Sequence, residues 1–362
     1  MFVNSNHRNK MDCSNVISIP YIEGDDRNCP YQYKDARKHF QEHGWVVVED
    51  LLTEKEFHQF SKTYKEHHMY RRPSTYKKLK EDITSLKNVS LDAIQGMWED
   101  NESLRELAFH PKISQCAASL LGIGSVRVLQ DQSNSKPPYA IPTHVHQDHP
   151  YLPIAEPLTV AAWVVLSPEG SRNCRLGYVS GSHRCGLKYL PFENKGAFGN
   201  TFNPPFGHKK WDPSISILEH PLLQTLVHKN ELQFPLVKPG SVAFHHGLCL
   251  HASEINNSDK WRHAYTTTYC GTNCTAGSCL GIEIKNTASH YFERSGLKHG
   301  ERLLGEGADE LMPIAWPQLH PWELPPRPKR NGHVIERVMK KITNSGYLPS
   351  GPTKGIRHES KL

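Results

Sequence analysis

The sequence predicts a mainly β chain, a sandwich or barrel with a helical layer against one face. Three observations carry this. From Ser125 onward short β-rich runs recur, V-R-V-L, T-H-V-H-Q-D, L-T-V-A-A-W-V-V-L, L-G-Y-V-S-G-S-H, S-V-A-F-H-H-G-L-C-L and R-H-A-Y-T-T-T-Y, broken by Gly, Pro and Asn. No helical pattern follows each run, as a parallel α/β sheet would require. Ahead of them, residues 79–121 place apolar side chains three and four apart, which is helical spacing.

Taken in order, residues 1–30 are polar and Asn-rich without periodicity and read as a flexible arm. A helix over residues 35–43 should stop at Gly44, because glycine takes the left-handed closing conformation, and W-V-V-V follows as a strand. Thr53 with Glu56 three residues on forms a capping box, opening a helix to about His67. L-D-A-I-Q-G-M-W, E-S-L-R-E-L-A-F and I-S-Q-C-A-A-S-L-L continue the helical pattern, with His110-Pro111 between the last two. Residues 192–232, rich in Pro, Gly and His, are too long for a turn and read as a lid. The expected organisation is one domain over residues 31–320 and a Pro-rich, basic extension over 321–362, with a short helix near 333–342. No internal repeat is visible.

Composition narrows the class. The chain has 362 residues, 37% apolar, and a formal charge of +6. Its basic residues are interleaved with acids, whereas a nucleic-acid face clusters them, so no nucleic-acid partner is expected. No apolar run approaches the roughly 20 residues of a membrane span. Nine cysteines and no secretory signal point to a reducing compartment. Cys270, Cys274 and Cys279 lack C-x-x-C spacing and read as buried thiols rather than a zinc site. Ser360-Lys361-Leu362 is the tripeptide that import receptors read as a peroxisomal address, so the expected location is peroxisomal, otherwise cytoplasmic, with the receptor as a partner.

The chemistry concentrates in two stretches. In T-H-V-H-Q-D-H, His146 and Asp148 sit two apart, which on a strand puts them on one face. Such a pair supplies two ligands of a two-histidine, one-carboxylate iron site. H-x-D alone is common in a chain with 23 histidines. A second stretch, G-S-V-A-F-H-H-G-L-C-L-H-A-S, supplies the distal ligand, His251, which strand alternation places on a face with Cys249 and His245. Three protein ligands leave three positions open on octahedral iron, enough for a bidentate 2-oxo acid and dioxygen. Arg262 follows eleven residues later; after the turn E-I-N-N-S-D-K it should return on the neighbouring antiparallel strand, sharing a face with Ala264, Thr266 and Thr268. Its guanidinium would grip the far carboxylate of a 2-oxo-dicarboxylate bidentately. Because His144 also shares the face of His146, and His149, His245, His246 and His263 lie nearby, a three-histidine cupin-type site is a competing arrangement.

H-Q-D followed by Y-L-P, A-A-W-V-V-L, V-S-G-S-H, H-H-G-L-C-L-H-A-S and the arginine eleven residues on resemble the phytanoyl-CoA dioxygenase family of Fe(II)/2-oxoglutarate oxygenases, from about Phe40 to Tyr269. The resemblance implies a double-stranded β-helix (jelly roll, cupin-like), with His146, Asp148 and His251 on iron and Arg262 on 2-oxoglutarate. It also implies cosubstrate contacts for Trp163, in A-A-W-V-V, and for Gln132, four residues before Lys136-Pro137-Pro138; core packing is the other reading of Trp163. Lys136 and Gln147 would be pocket-adjacent. The implied reaction couples decarboxylation of 2-oxoglutarate to hydroxylation of an unactivated C–H, with ascorbate as activator. A carboxylate at Asp148 leaves no vacated position for a halide. The implied small-molecule substrate is a fatty acyl-CoA, hydroxylated at the α carbon; the alternatives are a specialised metabolite such as an amino acid or terpenoid, or a non-catalytic β-helix binding protein. Where the family reads Asn-Gly and Pro-Gly, this chain has Asn173-Cys174-Arg175 and Ser180-Gly181.

Overall fold

Two antiparallel sheets face each other, and the N-terminal helices cover the outer face of the larger one. The computed structural model describes residues 30–168, 170–185, 232–277, 295–318, 324–326 and 328. The N-terminal arm, nearly all of the 192–232 segment, Cys279, the 333–342 helix and the C-terminal tripeptide lie outside the described residues.

The chain opens with α1 (Lys34–His43), closed by Gly44 at φ 80°, and β1 (Trp45–Val48). Next comes α2 (Glu54–Arg71), whose Thr53–Glu56 capping box is formed in both directions and which runs a turn past His67. Then follow α3 (Pro73–Glu81), α4 (Met97–Asp100), α5 (Glu102–Ala108) and α6 (Pro111–Leu121). The predicted helix across L-D-A-I-Q-G-M-W is corrected: Asp92 and Gln95 instead make bridges to Ser135 and Gln132, and helix resumes only at Met97. The cause is Asp131, whose buried carboxylate accepts from the backbone N–H groups of Gly96 and Trp98 at 2.9 and 2.8 Å and so fixes a helix start there.

The β region comprises β2 (Val126–Ser133), β3 (Thr143–His146), β4 (Thr159–Val165), β5 (Leu176–Val179), β6 (Leu232–Gln233), β7 (Val242–His246), β8 (His251–Ser253) and β9 (Ala264–Gly271). A last helix, α7 (Glu306–Leu311), leads to β10 (Ile314–Trp316). The larger sheet runs β1-β7-β4-β9-β2-β10 and the smaller β3-β8-β5-β6. No described helix is long and apolar enough to cross a membrane.

Both faces of the larger sheet are covered, which is why T-V-A-A-W-V-V is buried at every position. Val160, Ala162, Val164, Val242 and Phe244 pack outward against the helices with Phe40, Trp98 and Leu104. Each such large side chain contributes roughly 1.5–3 kcal/mol when buried. Their neighbours point inward, toward the smaller sheet. In register across the inner face lie Gln132, Thr266, Trp163 and Ala243, and beside them Gln130, Thr268, Ala161 and His245. The smaller sheet answers with its own row, His146, His251 and Tyr178.

Candidate metal centre

The strand geometry expected at Asp148 is corrected. β3 ends at His146, and Asp148 has helical angles (φ −75°, ψ −38°) at the start of a 3-10 turn over His149–Tyr151. The turn is fixed from outside: Gly247 accepts from the His149 N–H at 2.9 Å, and the Gln147 amide donates to the Leu248 carbonyl at 2.6 Å. Gln147 is thus a buried tie between two loops. The bend still brings the Asp148 carboxylate beside His146, Oδ1 lying 3.5 Å from Nε2.

His251 arrives by a different route from the one alternation suggested. β7 belongs to the larger sheet and β8 to the smaller, so the four-residue turn between them carries the chain across the sandwich and breaks strand parity. Its first residue, Gly247, has no room for a Cβ, which would overlap the Thr159 hydroxyl. Once on β8, His251 is the direct cross-strand neighbour of His146, with ring centroids 4.2 Å apart. Its Nε2 lies 3.6 Å from Asp148 Oδ1. One ligand atom from each of His146, Asp148 and His251 lies within 4.8 Å of the others.

The donor set fits a divalent metal. His251 Nδ1–H donates to the Cys249 carbonyl at 3.0 Å, so Nε2 presents a lone pair toward a carboxylate oxygen. Two acceptors facing each other call for a cation between them. Burial, followed by the neighbouring His146, holds His251 well below the usual imidazole range. Cis ligands at metal bonds of about 2.1 Å stand about 3 Å apart, so the observed 3.5 and 3.6 Å spacings need only a small contraction.

Among the described residues, the competing histidines are diverted, with one exception. His149 is buried and reaches the Ala155 carbonyl, His246 Nδ1 accepts from the Leu248 N–H, and His263 pairs with Ser135. The His144 side chain lies outside the described residues. The exception is His245, whose Nε2 is 3.0 Å from Asp148 Oδ2.

Arg262 does not return beside β8 as expected. It precedes β9, a strand of the larger sheet, and pairs with Lys136. Its guanidinium lies over the Trp163 ring, 5.1 Å from the centroid, and donates to the Asn134 carbonyl at 2.6 Å; its buried Nε has no partner. Trp163 fills a cluster with Val165, Val237, Ala243 and Ala264, and its ring lies against the Arg262 guanidinium. Gln132 stands in its row, two strands away with Thr266 between, and is tied to Asn134 and Gln95. Lys136 is fully buried, its ammonium donating to the Ile141 carbonyl at 2.5 Å, and burial pushes its pKa down to about 7. Among the described residues no carboxylate reaches Lys136 or Arg262. Two positions carried no signal in the sequence: the buried Ser253 hydroxyl, two residues past His251 and without a partner, and Tyr178 beside His251.

A jelly-roll sandwich carrying a two-histidine, one-carboxylate cluster that could hold a metal ion is the frame of a candidate metal centre. Residues 40–264 match the phytanoyl-CoA dioxygenase (PhyH) family, and the chain belongs to that family of 2-oxoglutarate-dependent non-heme iron oxygenases. Among curated proteins it is 21% identical to the peroxisomal phytanoyl-CoA dioxygenase of Homo sapiens over 278 residues, 73% of this chain and 75% of the human one. It is 22% identical to the Mus musculus protein of that name, covering 74% and 76%. Among solved structures, the non-heme alpha ketoglutarate dependent carbocyclase SnoK from nogalamycin biosynthesis shares the fold (TM-score 0.54, 24% identity, 81% of this chain and 99% of SnoK). So does EctD from S. alaskensis with bound Fe (TM-score 0.51, 18% identity, 75% and 86%).

Proposed function

We propose that His146, Asp148 and His251 bind Fe(II), that Arg262, Lys136, Trp163 and Gln132 hold 2-oxoglutarate, and that the protein hydroxylates an unactivated C–H of a small organic substrate. The single observation behind this reading is the Asp148 Oδ1, set 3.5 and 3.6 Å from the Nε2 atoms of two histidines. When bound, iron with 2-oxoglutarate supplies dioxygen activation coupled to decarboxylation to succinate. The chain's own residues bind, orient and exclude water. The Arg262 fork and the Lys136 ammonium meet the far carboxylate, and Trp163 fixes the angle of the fork. The unpartnered Ser253 hydroxyl, on the strand of His251, offers a further hydrogen bond to the cosubstrate.

The substrate class we propose is a fatty acyl-CoA, hydroxylated at the α carbon. The distant identity to peroxisomal phytanoyl-CoA dioxygenases and the Ser360-Lys361-Leu362 terminus support it. The catalytic unit is proposed as a single domain over residues 31–320. A substrate screen read by succinate release and product mass tests the assignment. Acyl-CoA thioesters should accelerate succinate release above the free small acids; faster turnover with an amino acid or terpenoid would move the enzyme to specialised metabolism. An N-terminal fluorescent fusion should reach peroxisomes and return to the cytosol on deletion of Leu362.

A further inference from the structure

His245 lies beside the metal cluster but outside it. It sits on an interior strand of the larger sheet, paired with Trp45 on the edge strand and Ala161 on the other side, and its side chain is 3% exposed. Its Nε2 is 3.0 Å from Asp148 Oδ2, while the other carboxylate oxygen, Oδ1, is the one that faces His146 and His251. A carboxylate only accepts, so Nε2 carries the hydrogen, and Nδ1 turns its lone pair to the Tyr178 hydroxyl at 3.5 Å. The two oxygens of one carboxylate therefore face different partners, Oδ2 His245 and Oδ1 the pair His146 and His251.

We propose that His245 is a positioning residue which holds Asp148 Oδ2 and thereby keeps the aspartate a one-oxygen ligand. This rests on the metal assignment above and concerns what that assignment leaves unexplained. A carboxylate on a divalent metal binds through one oxygen or both. Engaging both would occupy one of the three positions that a bidentate 2-oxo acid and dioxygen require. A donor on a short ring, anchored to a strand paired on both sides, restrains Oδ2 more tightly than water could, because its Cα is fixed by ladder hydrogen bonds. Hydrogen bonds of this kind to a ligating group typically change metal affinity about 10–100-fold.

The test compares His245→Phe, which keeps a ring and loses the donor, with His245→Gln, whose amide nitrogen occupies the place of Nε2. Mn(II) and Co(II) binding to the full chain is measured by anaerobic titration calorimetry, followed by titration of 2-oxoglutarate into the Co(II) protein. H245F should bind metal about 10-fold or more weakly and lose further affinity for 2-oxoglutarate, with an unchanged circular dichroism spectrum. H245Q should recover most of both affinities. A folded H245F that binds metal and 2-oxoglutarate as tightly as the parent overturns the assignment, and so does an H245Q as weak as H245F. A parent protein with no divalent-metal affinity overturns the oxygenase reading as well, so the two failures are distinguishable.

Discussion

Lys136 and Arg262 stand directly opposite each other on an antiparallel bridge, each backbone N–H donating to the other's carbonyl, at 2.9 and 3.0 Å. Opposed residues share a face, so two buried cations project side by side, an arrangement that is destabilising without a counter-charge. A dicarboxylate ligand supplies that charge, and four expectations follow from this pair and from the geometry around the metal cluster.

Lys136→Met, which keeps the length of the stem, should leave metal binding intact and raise the KM for 2-oxoglutarate about thirtyfold or more, the usual scale for losing one partner of a buried charge pair. Steady-state kinetics at saturating iron checks this. An unchanged KM would leave Arg262 as the sole anchor.

The same lysine makes the protein without cosubstrate sensitive to pH. Burial first, and then the Arg262 charge, bring Lys136 to about 7, whereas an unfolded lysine keeps its proton to about 10.4. Between those values the unfolded chain binds more protons, so stability should rise with pH from about 7 to 10. Thermal unfolding of the wild type relative to Lys136→Met isolates the effect; parallel profiles would contradict it. The affinity for 2-oxoglutarate should fall over the same range as Lys136 loses its charge.

Asp148→Ala should abolish metal binding and turnover, since it removes the only carboxylate of the described cluster. Breaking a site of this kind costs far more than a surface change. A three-histidine site would retain both iron and activity in the same variant, and calorimetry with Mn(II) separates the two outcomes.

Gly247→Ala places a methyl group against the Thr159 hydroxyl at the crossing from β7 to β8. Overpacking of this sort costs about 1–3 kcal/mol, and here the displacement falls on the segment leading to His251. Lower thermal stability together with weaker metal binding is expected. A loss of stability with metal affinity intact would show that the turn and the ligand are mechanically independent.

Local signals were legible where short-range physics decides. Gly44 closes α1 because glycine alone enters the left-handed region cheaply, and Thr53 with Glu56 opens α2 because both orphan donors are met within three residues. The stretch over Leu91–Trp98 misled for the converse reason: its helical spacing is real, but a buried carboxylate 33 residues from Trp98 takes over the backbone donors. Cys174 shows another limit, because the departure from Asn-Gly is visible in the sequence while its left-handed backbone (φ 58°) and its burial beside Arg262 are not.

Composition and periodicity were enough for the residue types of the centre, two imidazoles, a carboxylate and a guanidinium at their spacings, and for the β character of the chain. How they meet is a matter of long-range packing. Asp148 comes off the strand, His251 crosses to the other sheet, Arg262 faces Lys136, and His245 reaches the far oxygen of Asp148, because those contacts depend on which strands pair across the sandwich, and pairing is settled by packing between segments about a hundred residues apart.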